Sequence, residues 1–402
     1  MTDSTDIFGM LADTAAARGA PAMFEALADS LKARRRWHAL FDLRLVQARS
    51  ALGLPPTGDL TAVDETTRSR LDEYSLAACR EVGWPLLAEG HVAAAWMYLR
   101  AAADPGEVAE KFAALARAPS ADDEEATARL QEIMHVALWE GVAPALGIEL
   151  VIDAQGTCNA ITAYEQAVAR LPAARQREPA GVLVAHLHRE LRDALAADLM
   201  RRGLATAERI EAATSIVDLL DAAGGMKDDP SFHVDVSHLQ AVLRIARVCI
   251  DRAVLEKAWD LAVYACRLPD EVTYPGEPPF ENVAEASRLF YAALLGRDVT
   301  EAVAFFSRAA ATARLEDAGT LPADTLVYLL WRLGRPAEAL QAALARPADH
   351  GMPSVMQASG MLPSLIDLAV AGDAIDLLRD ACRARGDEIT FAATWFVSPT
   401  GV

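Results

Sequence analysis

Lysine is almost missing: four lysines stand in 402 residues, arginine supplies nearly all the positive charge, and 38 basic residues face 57 acidic ones for a net charge of −19. A phosphate-binding surface needs clustered cations, so this balance argues against nucleic acid as a partner of the whole molecule and against an anionic membrane surface. The acids are spread along the chain, as expected of a solvated surface. Cysteine is scarce as well. Cys79, Cys158, Cys249, Cys266 and Cys382 are odd in number and hold no CxxC pair; that fits reduced thiols better than a disulfide framework. Residues 1–6 are acidic where a secretory leader would be basic, and no uncharged apolar run is long enough to span a bilayer. A cytoplasmic location is therefore expected. Also missing are a glycine-rich phosphate loop, a GxSxG elbow and the His-Asp dipeptide of metal phosphohydrolases.

What fills the chain is helix former. Ala, Leu, Glu and Arg dominate, 52% of residues are hydrophobic, and apolar residues recur at helical spacing, as at Leu43, Val46, Ala48 and Leu52. Alternating strand patterns are nearly absent. The tail from Glu388 to Val397 reads as either an extended segment or a last short helix. Gly19-Ala-Pro21 ends one helix and starts another. Gly83, Pro85 and Gly90 read as breaks. Pro179 reads as the start of a long helix reaching about Arg202. Gly224-Gly225 and Asp229-Pro230 mark a stronger break, and Tyr274 to Phe280 a proline-rich loop. The pattern predicts on the order of eighteen helices.

Three glycines, Gly296, Gly334 and Gly372, fall 38 residues apart, each between two helical patterns. A fixed period of this size marks stacked helical hairpins, in which no unit buries its apolar face alone. Small residues recur after the turns at the spacing that close helix crossing requires: Gly90, Ala95, Leu99 and Ala102; Ala258, Ala262 and Ala265 after Ala253; Ala339 and Ala343 after Gly334; and, with one inserted residue, Ala302, Phe306 and Ala309 after Gly296. On these positions the chain resembles the tetratricopeptide-type α-solenoids. The resemblance implies an all-α fold, a right-handed superhelix of stacked antiparallel helical hairpins. The break near Gly224 suggests two lobes: an irregular helical-repeat lobe over 1–225 and a tetratricopeptide-like lobe over 226–402.

Chemistry-bearing residues are few. His233, Asp235 and His238, in Ser231-Phe-His-Val-Asp-Val-Ser-His, are good zinc or iron ligands at a ligand-like spacing. The plainer reading makes Ser237 and Gln240 a capping box, with Asp235 at a positive helix N-terminus and His238 in the first turn. Cys158 follows Gly156, which suits a left-handed helix end, and Thr157 or Asn159 would cap the next helix. Cys158 would then lie near a helix N-terminus, where thiols gain reactivity; as a nucleophile it needs a base, for which His135 or His233 is a candidate. The plainer reading is a polar turn. His186 and Glu190 share a helix face, in the wrong order for a zincin. Arg34-Arg-Arg36 is a basic cluster suited to a phosphate or acidic peptide, or a solvated turn.

The leading expectation is a binding scaffold without catalytic activity or cofactor, its concave groove taking a protein or peptide, one with basic segments given the acidic field. The alternative is an enzyme, metal-dependent with a divalent ion such as zinc on His233, Asp235 and His238, or cysteine-based on Cys158 and His135, with its site between the lobes.

Overall fold

The computed structural model describes residues 7–61, 63–118, 123–226, 229, 231–276, 279–347 and 354–397. Ser120 to Asp122, Pro230 and the middle of the 274–280 loop lie outside these residues. Among the described residues the chain forms 23 α-helices and no strand. It divides into two compact units, Met1–Gly147 and Ile148–Val402. The Gly224 segment joins two helices inside the second unit.

The first unit holds α1 (Ile7–Arg18), α2 (Ala20–Ala33), α3 (Trp37–Ala51), α4 (Glu65–Ala88), α5 (Val92–Ala102), α6 (Pro105–Ala116) and α7 (Asp123–Trp139). Helices adjacent in sequence pack together from α1 to α5, and α7 packs on α5 and α6. Gly83 and Pro85 do not break the chain as expected, for both lie within α4. Gly83 is there for packing. A Cβ at that position would come within 2.6 Å of the Leu99 side chain on α5, so glycine lets the two helices of this hairpin touch. Ala95, Leu99 and Ala102 are all buried at the contact. On the other side, Glu81 of α4 receives the Arg44 guanidinium of α3 at 2.8 Å and the Lys32 ammonium of α2 at 2.7 Å. These cations hold its carboxyl down to about 2.

The second unit opens in α8 (Pro144–Gln155), whose first turn carries the boundary, followed by α9 (Thr157–Ala163) with a π turn over Tyr164–Val168. Next come α10 (Ala173–Arg202), α11 (Ala207–Ala212), α12 (Ile216–Ala222), α13 (Val236–Ile245) and α14 (Arg252–Cys266). The remainder are α15 (Val283–Leu294), α16 (Val299–Thr312), α17 (Leu315–Ala318), α18 (Leu321–Arg332), α19 (Pro336–Ala345), α20 (Val355–Ala358), α21 (Leu365–Ala371), α22 (Ile375–Arg385) and α23 (Glu388–Ala393). Helix α10 starts six residues before Pro179. Pro179 is the seventh residue of the helix, past the first turn in which proline loses no helical hydrogen bond, and it is buried. This long helix packs against α9, α12, α13 and α14, and from α13 onward the main contacts run in chain order to α23, passing over the four-residue α17 and α20.

Each member of the glycine beat does separate two helices, but not for one reason. Gly296 and Gly334 take left-handed conformations, φ 81° and 70°. Each ends its helix with the paired bonds of a left-handed cap, as in Arg335 N–H to Leu330 O and Gly334 N–H to Trp331 O. At the third turn the left-handed residue is Asp373, φ 48°. Gly372 answers a different demand, since a Cβ there would lie 2.7 Å from Ala337 N and 2.9 Å from its Cα. Backbone cannot yield as a side chain can. Gly372→Ala is therefore expected to lower stability by about 1–3 kcal/mol, measured as a drop in urea midpoint; an unchanged midpoint would show that α19 and α21 do not need this contact.

Candidate functional site

The 231–238 segment is held by a buried polar network. Arg267, which follows the last residue of α14, donates to Tyr264 Oη at 2.7 Å, and so does the His233 N–H at 3.0 Å. The Tyr264 hydroxyl is then left to donate to His233 Nδ1 at 2.7 Å, and His233 Nε2–H to Asp198 of α10 at 3.2 Å. Arg202 completes the network by bridging Asp198 at 3.1 Å and Asp229 at 2.7 Å. In this wiring the imidazole is neutral. Burial lowers the His233 pKa, and the Arg267 guanidinium beside it acts in the same direction against the pull of Asp198.

Asp235 does something else. It is the N-cap of α13, accepting from Ser237 N at 2.8 Å and His238 N at 3.3 Å. The Ser237–Gln240 capping box does not form, because the helix starts one residue before Ser237 and Gln240 donates to Tyr274 O. His238 sits in the first turn, half-buried. Among the described residues no group of three or more His, Cys, Asp or Glu is arranged to hold a metal ion. Zinc would require His233 to leave Asp198 and Tyr264, and Asp235 to leave the helix start.

Cys158 is exposed in the first turn of α9. Gly156, φ 83°, is the N-cap there; neither Thr157 nor Asn159 caps this helix. The Thr157 hydroxyl instead meets His186 Nε2 of α10 at 2.9 Å. Among the described residues no general base is bonded to the Cys158 thiol. His135 is an exposed residue of α7 in the first unit.

A second polar knot lies deeper on α10. His188 Nε2 meets Asp260 Oδ2 of α14 at 2.9 Å, and that carboxylate also accepts the backbone N–H of Ile216 at 2.9 Å and of Val217 at 3.4 Å. An aspartate of one helix thus receives the first N–H groups of another, α12, beside the local Ser215–Asp218 capping box. Sequence reading missed this, because nothing local marks an acceptor supplied from 44 residues away.

Beside these knots α8, α10 and the start of α14 enclose a groove of about 740 Å³. Ile152, Val182, Ala185 and Val254 give it an apolar floor, and half-exposed Ile250 stands at its edge. Four carboxylates line it (Glu149, Asp153, Glu178 and Asp251) against two guanidiniums, Arg177 and Arg189. His186 also lines it; burial and Arg189 keep this imidazole below its ordinary pKa despite Glu190. The Cys249 thiol at its base is buried and pushed up to about 12, hence protonated and inert as a nucleophile. Gly181 lies mid-helix on α10, where glycine costs about 0.5–1 kcal/mol relative to alanine. No clash demands it, since a Cβ would sit 3.5 Å from Val254, an ordinary contact. What its missing side chain provides is depth.

The neutral state of His233 has a consequence for stability. Its pKa is lowered on folding, so its contribution is complete above the unfolded value near 6.5 and is lost as pH falls through the folded one. Wild-type urea midpoints should drop between pH 7.5 and 5.5, and the drop should shrink in His233→Asn; equal drops would mean that the imidazole is not held neutral. Comparison with known proteins adds no precedent: no protein-family model, curated protein or solved structure matches the chain.

Proposed function

We propose that this chain is a tetratricopeptide-like helical-repeat scaffold, a cytoplasmic binding protein whose second unit takes a peptide or partner segment rich in basic and apolar residues. The observation that carries this reading is the groove at Gly181. It joins an apolar floor to a rim on which carboxylates outnumber guanidiniums four to two. The apolar residues supply burial and the carboxylates supply selection for cations, reinforced by a net charge of −19 that speeds encounter with a basic partner. Stacked hairpins with buried small residues suit such a role, because the array holds its groove rigid without a ligand. Five free cysteines agree with a reducing compartment.

A short amphipathic Leu/Lys peptide, labelled for fluorescence anisotropy, tests the proposal. It is expected to bind the wild-type chain and to weaken with salt, whereas a Leu/Glu peptide of the same pattern does not bind. Gly181→Leu fills the groove with no change of charge, and should weaken binding about tenfold or more. Gly181→Ala should raise stability by about 0.5–1 kcal/mol, separating groove depth from folding. Unchanged affinity in Gly181→Leu would overturn the proposal and reduce the peptide's binding to general attraction by an acidic surface.

A further inference from the structure

The geometry points to a separate anion site in the first unit: a cavity of about 420 Å³ at the α2–α3 turn that takes a small phosphate monoester. Its lining reverses the charge of the whole molecule. Arg35, Arg36, His38 and His91 face it, with Glu89 the one carboxylate among its lining residues. Glu89 is already engaged: it accepts the Trp37 indole N–H at 2.9 Å and lies 3.5 Å from the Arg35 guanidinium. The Arg36 and His91 side chains have no hydrogen bond or ion pair among the described residues, so their donors remain open to a ligand. His38 Nδ1 is joined to the Tyr98 hydroxyl at 2.7 Å. With that hydroxyl donating, Nε2–H is a further donor.

The backbone adds to these side chains. Helix α3 begins at Trp37 without a side-chain cap, and the N–H groups of Trp37, His38 and Ala39 accordingly lack a side-chain acceptor among the described residues. All three residues line the cavity. Uncapped N–H groups and the positive end of a 15-residue helix favour an anion. Guanidiniums beside them favour phosphate, whose oxygens accept several donors at once. The walls at Trp37, Leu86 and Ala94 leave room for an apolar group attached to that phosphate.

The turn itself adds to the charge of the wall. Gly53, Gly90 and Gly203 occupy the left-handed slot where their helices end, whereas here, as at Asp373 after α21, a residue with a side chain holds it: Arg35, φ 52°. The turn has the same paired bonds, Arg36 N–H to Leu31 O and Arg35 N–H to Lys32 O. Glycine would serve the backbone better; arginine at this place adds a cation to the cavity wall.

Phenyl phosphate and benzoate, titrated calorimetrically into the full chain at matched ionic strength, test the inference. Phenyl phosphate is expected to bind about tenfold tighter than benzoate, which shares its ring but carries a single charge. Arg36→Ala should weaken phenyl phosphate about tenfold with no change in the melting temperature of the free protein. Arg35→Gly should also weaken it, while the melting temperature holds or rises because the left-handed residue is now glycine. Equal affinity for the two anions, or phenyl phosphate affinity unchanged in both variants, would overturn the inference.

Discussion

The Asp260 carboxylate is the constraint on which the second unit depends. Buried on α14, it holds His188 of α10 and the first N–H groups of α12. An unpaired carboxylate there would be costly, and removal of one member of a buried pair typically costs about 3–5 kcal/mol. The side chain therefore fixes three helices together or forfeits much of a domain's stability. Further along the same two helices, Asp198 and Tyr264 are joined through His233. The loop before α13 thus acts as a strut between α10 and α14. The groove lies toward the starts of these helices, at Gly181 and Val254. Its width is set by contacts that no ligand needs to make, which is the condition for a preorganised site.

Part of the large acidic excess is consumed locally. Asp64, Asp104, Asp235, Asp251 and Asp387 are N-caps whose carboxylates accept backbone N–H groups. Each gains from the helix dipole as well as from hydrogen bonding. The carboxyls of Asp64, Asp235 and Asp387 are accordingly held below their ordinary range, with hydrogen bonds the leading cause. A residue type that reads as surface charge in the composition is therefore partly a structural component of an all-helical chain with many helix starts. Carboxylates such as Glu149 and Asp153 belong to a different class: on one face of α8 at the groove, they cap nothing.

How far the sequence could be read follows from the range of the interactions. Helix content, the glycine beat and the small residues at hairpin crossings are local signals, and they appear as buried Ala95, Ala258, Ala302 and Ala339. Pro85 and Pro179 misled because proline marks a lost hydrogen bond, and tertiary burial overrode that cost. Gly372 showed the right letter for the wrong reason, since its role is set by Ala337 on another helix. The candidate sites were least legible. His233, Asp235 and His238 are neighbours in sequence, yet one closes a buried network, one caps a helix and one sits in its first turn. The groove was invisible because α8, α10 and α14 meet across intervening helices, and periodicity along one helix does not say which other helix it faces.

The cavity at Arg35 raises the question of how a chain of charge −19 could hold an anion at all. Long-range repulsion is screened within about a Debye length, roughly 8 Å at physiological salt. Inside that distance local donors decide. The α2–α3 turn gathers guanidiniums, imidazoles and uncapped N–H groups around one cavity, with its single lining carboxylate already bonded to Trp37. A general acidic field then acts as a filter: it disfavours anions over the rest of the surface and leaves binding to the place where donors converge. The same field favours cations at the groove in the second unit. The opposite ligand charges proposed for the two cavities thus follow from one charge distribution, read at two distances.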